Sequence, residues 1–234
     1  MVELVDTPDL KSCSETECGF ESHWPHQKEN KMNIRIIGDV HGFIGSYIEI
    51  IEEVDKSIQL GDMGFKEGYD LMLRLMLEKE IKLIDHLFVP GNHDDYDHLP
   101  SNNLGDFGHK KIGQHKVMWI RGALSFDKRL RTPNVDWWQE EELSYKRGQD
   151  AIDLYNEILP DIVLSHDCPF KILSKLYGTT HKEGTITGQI LDTCFESHQP
   201  KMWMFGHHHQ DKTFKIGRTT FKCLDELSYV DLEL

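Results

Sequence analysis

From Met32 onward the apolar positions fall into two alternating rhythms. "NIRIIG" is a short apolar run with the length of a buried strand. "IGSYIEIIEEV" follows, with Ile44, Tyr47, Ile48 and Ile51 at i, i+3, i+4 and i+7, the spacing of one helix face. "KSIQLG" predicts a strand, "YDLMLRLMLEKE" a buried helix whose "LMLRLML" run belongs to the core, and "DHLFVPG" a strand. After a Gly/Asn-rich loop, "KKIGQHKVMWIRGA" predicts two short strands joined by a turn. "SYKRGQDAIDLYNEILP" predicts a helix stopped at Pro160. "DIVLSH" predicts a strand, "TITGQILDTCFES" a helix and "KMWMFG" a strand. The tail "TFKIGRTTFKCLDELSYVDLEL" predicts strands separated by turn residues. No repeat or linker interrupts this order. Strand–helix alternation that gives way to strands predicts a mixed α/β sandwich.

Residues 1–31 share neither rhythm, and they carry seven acids against three Lys. That composition predicts disorder. Reverse translation of "VELVDTPDLKS" permits a leucine tRNA gene, with Asp9-Leu10-Lys11-Ser12 over the anticodon loop. "GFES" then permits the T-arm and "PHQ" the terminal CCA. The segment resembles a translated tRNA gene, which would make Met32 the natural start. The expected organisation is an extension, 1–31, and one domain, 32–234.

Composition narrows the class. The chain has 234 residues, 38% hydrophobic and 28% charged, as a soluble globular domain does. No apolar run approaches the roughly 20 residues of a membrane span, and no secretory signal pattern opens the chain. Five Cys without a CxxC pair fit reduced thiols in a cytoplasm. For a phage-encoded chain that would be the host cytoplasm. A net charge of −14 argues against non-specific nucleic-acid binding, which needs a basic footprint. Fourteen His residues point instead to a metal.

The chemistry lies where the strands end. After "IRIIG" comes Asp39-Val40-His41; after "SIQLG", Asp62; after "LFVPG", Asn92, His93 and Asp94; after "DIVLS", His166; after "WMFG", His207, His208 and His209. Open α/β sheets gather ligand sites at the carboxyl ends of their strands. Any one of these endings could be an ordinary turn or a hydrogen-bonded core His; five together predict a shared site. Side chains alternate along extended chain, so Asp39 can point with His41, and His207 with His209, while His208 points away. Carboxylate, amide and imidazole donors suit Mn, Fe, Zn or Ni. His98, His109, His115, His181 and His208 are left at the surface or behind the ligands.

The blocks "GDVHG", "GDMGF", "GNHD", "SHD" and "GHHH", in this order, resemble the calcineurin-like metallophosphoesterases. The resemblance runs from Met32 to the end. It implies a four-layer α/β sandwich, two mixed sheets flanked by helices, and hydrolysis of phosphate mono- or diesters with two divalent ions, Mn first. It implies that Asp39, His41, Asp62 and His209 hold one ion. Asp62, Asn92, His166 and His207 hold the other, with Asp62 bridging. His93 would stand beside the ions as general acid, and Asp94 would order the loop or orient His93, or act directly. Two divalent ions against two carboxylates and a bridging hydroxide leave the centre weakly positive, able to hold a phosphate in an acidic protein. The hydroxide would attack in line, and His93 would protonate the leaving oxygen.

The segment "RGALSFDKRLRTPNVDWWQEEEL" resembles a stretch of the bacterial and phage branch of this superfamily. Lys128, Arg129 and Arg131, with Trp137 and Trp138, could line the substrate mouth, or form an exposed basic loop with packed aromatics. The protein serine/threonine phosphatase branch continues its second block with Val-Asp-Arg-Gly and ends its third in Glu. Here "MGFKEG" and "GNHD" stand in those places, which argues against that activity. A catalytically silent scaffold is the rival of another class; an intact ligand set with His93 argues against it. The expected partner is a small or extended phosphoester. A chain starting at Met32 is expected to keep the full chain's melting temperature; a clear drop would show that residues 1–31 pack on the domain.

Overall fold

A computed structural model describes residues 32–178 and 184–234. The expected extension, 1–31, and His181 lie outside the described residues. The elements run β1 (Asn33–Ile37), α1 (Ile44–Glu52), β2 (Ser57–Gln59), α2 (Lys66–Glu78), β3 (His86–Phe88), β4 (Phe107–Ile112) and β5 (His115–Ile120). They continue α3 (Tyr145–Ile158), β6 (Ile162–Ser165), α4 (Leu173–Tyr177), α5 (Ile186–Ser197), β7 (Met202–Phe205), β8 (Lys212–Ile216), β9 (Thr219–Cys223) and β10 (Tyr229–Glu233).

Two mixed sheets result. One has the order β10-β1-β2-β3, with β10 antiparallel to β1. The other has the order β4-β5-β6-β7-β9-β8, with β4 and β8 antiparallel on its edges. Ile34, Ile36 and Ile58 of the first sheet meet Val117, Leu164 and Met204 of the second in a shared apolar layer. Helices α1 and α2 cover the outer face of the first sheet through Tyr47, Ile48, Ile51 and Met72. Helices α3 and α5 cover the second through Tyr155, Leu191 and Phe195, around Trp203. The fold is therefore the expected four-layer sandwich. Parallel register brings the ends of β1, β2 and β3 to one level, and those of β6, β7 and β9 to another beside it.

Helix α1 buries Ile44, Tyr47, Ile48 and Ile51, the face its spacing predicted. Helix α3 starts at Ser144, whose side chain accepts from the Arg147 N–H, and ends at left-handed Leu159 before Pro160. Helix α2 departs from expectation. Only Tyr69, Met72 and Met76 are buried, while Leu77 is 80% exposed, so "LMLRLML" is half a core stripe. The apolar run is longer than the single face that one sheet can cover. The short helix α4 had no periodic signal, because five residues do not complete two turns.

Candidate metal centre

The loops after β1, β2 and β7 carry the site on unusual backbone. His41, Asp62, His207 and His209 all have positive φ, between 46° and 63°. Left-handed backbone on such residues costs energy and clusters at functional sites. It also corrects the reasoning from strand alternation. The chain has left the extended conformation at these four residues, so it is the turns that bring His41 and His209 to Asp39 and send His207 to the other group, with Asp62 and His166.

Two donor groups form. Asp39, His41 and His209 offer ligand atoms within 4.8 Å of one another, and so do Asp62, His166 and His207. His209 Nε2 lies 3.1 Å from Asp39 Oδ2 and 2.9 Å from His41 Nε2. His166 Nε2 lies 3.3 Å from Asp62 Oδ1 and 3.0 Å from Asn92 Oδ1. Asp62 Oδ2 turns the other way, 3.7 Å from His41 Nε2. The two oxygens of Asp62 therefore face different groups, one of the arrangements open to a carboxylate shared by two ions. Donors about 3 Å apart match bonds of roughly 2.0–2.2 Å to a common ion.

The outer hydrogen bonds fit the same reading. His166 Nδ1 lies 2.7 Å from the Leu60 carbonyl, which fixes its proton there and leaves Nε2 as a lone pair. His209 Nδ1 lies 3.2 Å from Glu226 Oε1, with the same effect. Asn92 donates its amide N–H to Ser125 Oγ at 3.0 Å, which turns Oδ1 into the site. Glu226 and Ser125 escaped the sequence reading. Glu226 follows the end of β9 as the ligands follow other strands, so its place was the available signal; Ser125 had none.

Charge completes the case. Burial works against charging His166, yet Asp62 and Asp39 outweigh it and lift the group to about 10. Burial likewise opposes the Asp62 charge, but His166, His93 and His41 pull it well below the carboxylate range. Asp39 is held low against burial by His209 and His41. Burial opposes a rise of His41, which Asp39 and Asp62 overcome; the Asp39 hydrogen bond raises His209. Burial drops His207 to about 3. Two buried carboxylates thus call for positive charge, which protons supply when no cation does.

Asp94 ties the site together. Its Oδ2 accepts from the Gly91 N–H at 2.7 Å and the Asp62 N–H at 3.0 Å. Its Oδ1 accepts from the Gly64 N–H at 2.9 Å and the Tyr69 hydroxyl at 3.1 Å. Burial and the Asp62 charge push Asp94 up to about 7, while these donors favour its anion. Among the roles open to Asp94, which include a direct one, its bonds serve the loops. His93 donates its backbone N–H to Asp62 Oδ1 at 2.7 Å, and its ring stands 5.1 Å from that of His41.

Of the basic loop, Arg131 reaches inward. Its Nη2 lies 2.9 Å and 2.8 Å from the two ring nitrogens of His93, and Asp127 steadies its Nε at 2.8 Å. Lys128 and Arg129 are exposed. Trp138 is buried and donates its indole N–H to Asp97 at 2.9 Å, so it fastens the loop and does not line the mouth. His208 takes the second of its two expected places, behind the donors, its ring 4.8 Å from that of His207. It is 8% exposed, with Nε2 3.0 Å from Asp167 and Nδ1 2.9 Å from the Tyr177 hydroxyl. The left-handed turn at His207 sends its ring inward.

The layers and this donor set define a metal-dependent phosphoester hydrolase of the α/β sandwich type. The family model for calcineurin-like phosphoesterases matches residues 32–211, and the chain belongs to that family. No curated protein matches it by sequence. Among solved structures it is similar to a conserved protein of Streptococcus pneumoniae TIGR4 described as a predicted phosphoesterase, at 15% identity and a TM-score of 0.45. That match covers 87% of this chain and 83% of the other. A Vps29 single mutant from Entamoeba histolytica is similar at 15% identity and TM-score 0.40, covering 87% and 86%. GAP50, the anchor in the inner membrane complex of Plasmodium, is similar at 12% identity and TM-score 0.48, covering 83% and 71%. Among the described residues no helix is long and apolar enough to cross a membrane.

Metal uptake should release protons, because a raised histidine holds its proton at pH 7 and ligation needs its lone pair. Affinity should therefore rise with pH and fall as the medium is acidified. Calorimetric titration with Mn²⁺ in two buffers of different ionisation enthalpy reads the release; equal heats in both would show the histidines already neutral.

Asp94→Asn should lower the melting temperature by roughly 5–10 °C, about 2–3 kcal/mol, since the amide strands buried donors. Thermal unfolding with and without metal checks it. An unshifted midpoint would show that the loops hold without this carboxylate.

Proposed function

We propose that the chain hydrolyses phosphate mono- or diesters at a centre of two divalent ions. Asp62 bridges them, His93 serves as general acid, and Arg131 seats the phosphoryl group. The observation that carries this is the division of the two Asp62 oxygens between two donor groups, with His93 and Arg131 on one flank. Mn is the first choice of ion, with Fe, Zn or Ni as alternatives. When bound, the ions would lower the pKa of water and neutralise phosphoryl charge.

The chain's own residues then divide the work. Asp39, His41 and His209 would hold one ion; Asn92, His166 and His207 the other. The Arg131 guanidinium is a fixed cation with donors free of the Asp127 contact for a phosphoryl oxygen. His93 sits between Asp62 and Arg131. Burial lowers its pKa first, Asp62 opposes, and Arg131 lowers it further. An anionic ester against Arg131 would offset that cation and let His93 keep a proton to give. Buried free thiols at Cys168, Cys194 and Cys223 favour a reducing cytoplasm as the place of action. The acidic net charge favours small or extended esters over long nucleic acids.

Metal-loaded protein should turn over aryl phosphates. His93→Ala should keep both ions and lose about 10²–10⁴-fold in kcat on an alkyl ester, and less on a nitrophenyl ester, whose leaving group needs no proton. Measuring kcat across a leaving-group series with metal content checked decides the role. An equal loss across the series would remove the acid role, and lost metal would make His93 a ligand.

A further inference from the structure

A third group of donors lies beyond His207. Asp167, Cys168 and His208 are all buried, and their ligand atoms lie within 4.8 Å of one another. His208 Nε2 is 3.0 Å from Asp167 Oδ1 and 3.4 Å from Cys168 Sγ. None of the three belongs to the two donor groups of the centre. Tetrahedral bonds of roughly 2.0–2.3 Å to one zinc ion put N and O about 3.3 Å apart, and N and S about 3.5 Å apart. The observed separations are close to both.

The surrounding contacts hold these donors in place. The Tyr177 hydroxyl lies 2.9 Å from His208 Nδ1, so a proton kept on Nδ1 leaves Nε2 as a lone pair facing the acid and the thiol. Asp167 Oδ1 accepts the Cys168 backbone N–H at 2.7 Å, and its Oδ2 accepts the Thr185 hydroxyl at 3.4 Å. Hydrogen bonding alone does not account for the convergence. One proton on Nε2 serves either the carboxylate or the sulfur, whereas a cation serves all three donors. The three residues also line a recess of about 170 Å³, together with Phe126, Phe170 and Leu173. That recess has room for a water as the fourth ligand of a tetrahedral ion.

We infer that Asp167, Cys168 and His208 form a separate site for a single Zn²⁺. Thiolate and imidazole together select zinc over manganese, whereas the donor groups of the centre contain no sulfur. Ligation needs the thiolate, so uptake releases the Cys168 thiol proton to the medium. Asp167 and Cys168 follow His166 in the loop after β6, and His208 lies between His207 and His209 after β7. One ion there ties together the two loops that carry His166 and His207. Such a site asks nothing of the hydrolytic reaction and stands or falls without it.

Co²⁺ stands in for Zn²⁺ and reports a sulfur ligand through a thiolate-to-metal charge-transfer band in the near ultraviolet. Full-length protein freed of metal and titrated with Co²⁺ should develop that band. Zn²⁺ added afterwards should bleach it, and Mn²⁺ should not. Cys168→Ala should lose the band and take up about one ion fewer per chain. Tyr177→Phe removes no ligand but frees the His208 ring, and should weaken Zn²⁺ binding about tenfold or more. This second variant keeps the test decisive where Cys168→Ala fails to fold. No band in the parent, a band undiminished in Cys168→Ala, or unchanged Zn²⁺ affinity in Tyr177→Phe overturns the site. Bleaching by Mn²⁺, or a band that persists under excess Zn²⁺, overturns its assignment to zinc.

Discussion

One buried carboxylate holds the centre in register. Asp94 takes backbone N–H groups from Asp62, Gly64 and Gly91, and the Tyr69 hydroxyl as well. The backbone donors belong to the loops after β2 and β3, which present Asp62 and Asn92 to the donor groups. Buried N–H groups without acceptors are costly, so the loops close on this anion rather than on water. Tyr69 belongs to α2, so the knot also fastens an outer helix to the site. The positive φ of Asp62 follows from this closure, since its N–H must face Asp94 while its side chain faces the histidines.

Close backbone approach is the second constraint. A Cβ at Gly206 would collide with Asp39 Oδ1, and one at Gly91 with Asp62 Oδ1 and His166 Nε2. These glycines let the loops after strands of the two different sheets bring their donor side chains close together. The same closeness lets the His207 N–H donate to Asp39 Oδ1 at 3.0 Å, linking the loop after β7 to the loop after β1. Sheet pairing sets the levels of the strand ends; the glycines and the carboxylates set the last few ångströms.

That these donors would gather was legible in the sequence, because each follows a strongly apolar strand and strand ends gather in this type of sheet. The four layers were legible from alternation. What periodicity could not supply was direction. The sequence leaves His208 at the surface or behind the site, and left-handed turns at His207 and His209 accompany its place behind, against Asp167 and Tyr177. Glu226 sits in a turn of a strand-rich tail, and its bond to His209 crosses between loops far apart in sequence. The inward place of Arg131 depends on Asp127 and the Trp138–Asp97 bond, which no local pattern encodes. Leu73 and Leu77 show the opposite failure: an apolar run invites burial that the sheet has no more surface to give.

The two halves of the centre are unequal, and the inequality has a physical use. Asp62, Asn92 and His166 are almost fully buried, whereas the side chain of His209 is 44% exposed and that of His41 19%. Burial strengthens the attraction between an ion and its carboxylate, since water no longer screens it. It also slows any exchange that requires the ligands to part. The half built on His166 is therefore the firmer one, anchored by the Leu60 carbonyl and Ser125 through its ligands. The half built on His41 and His209 borders solvent and the recess lined by His41 and His93. A site that must admit a phosphoryl group and release product needs one open side, and the fold leaves open the side on which His41, His93 and His209 stand.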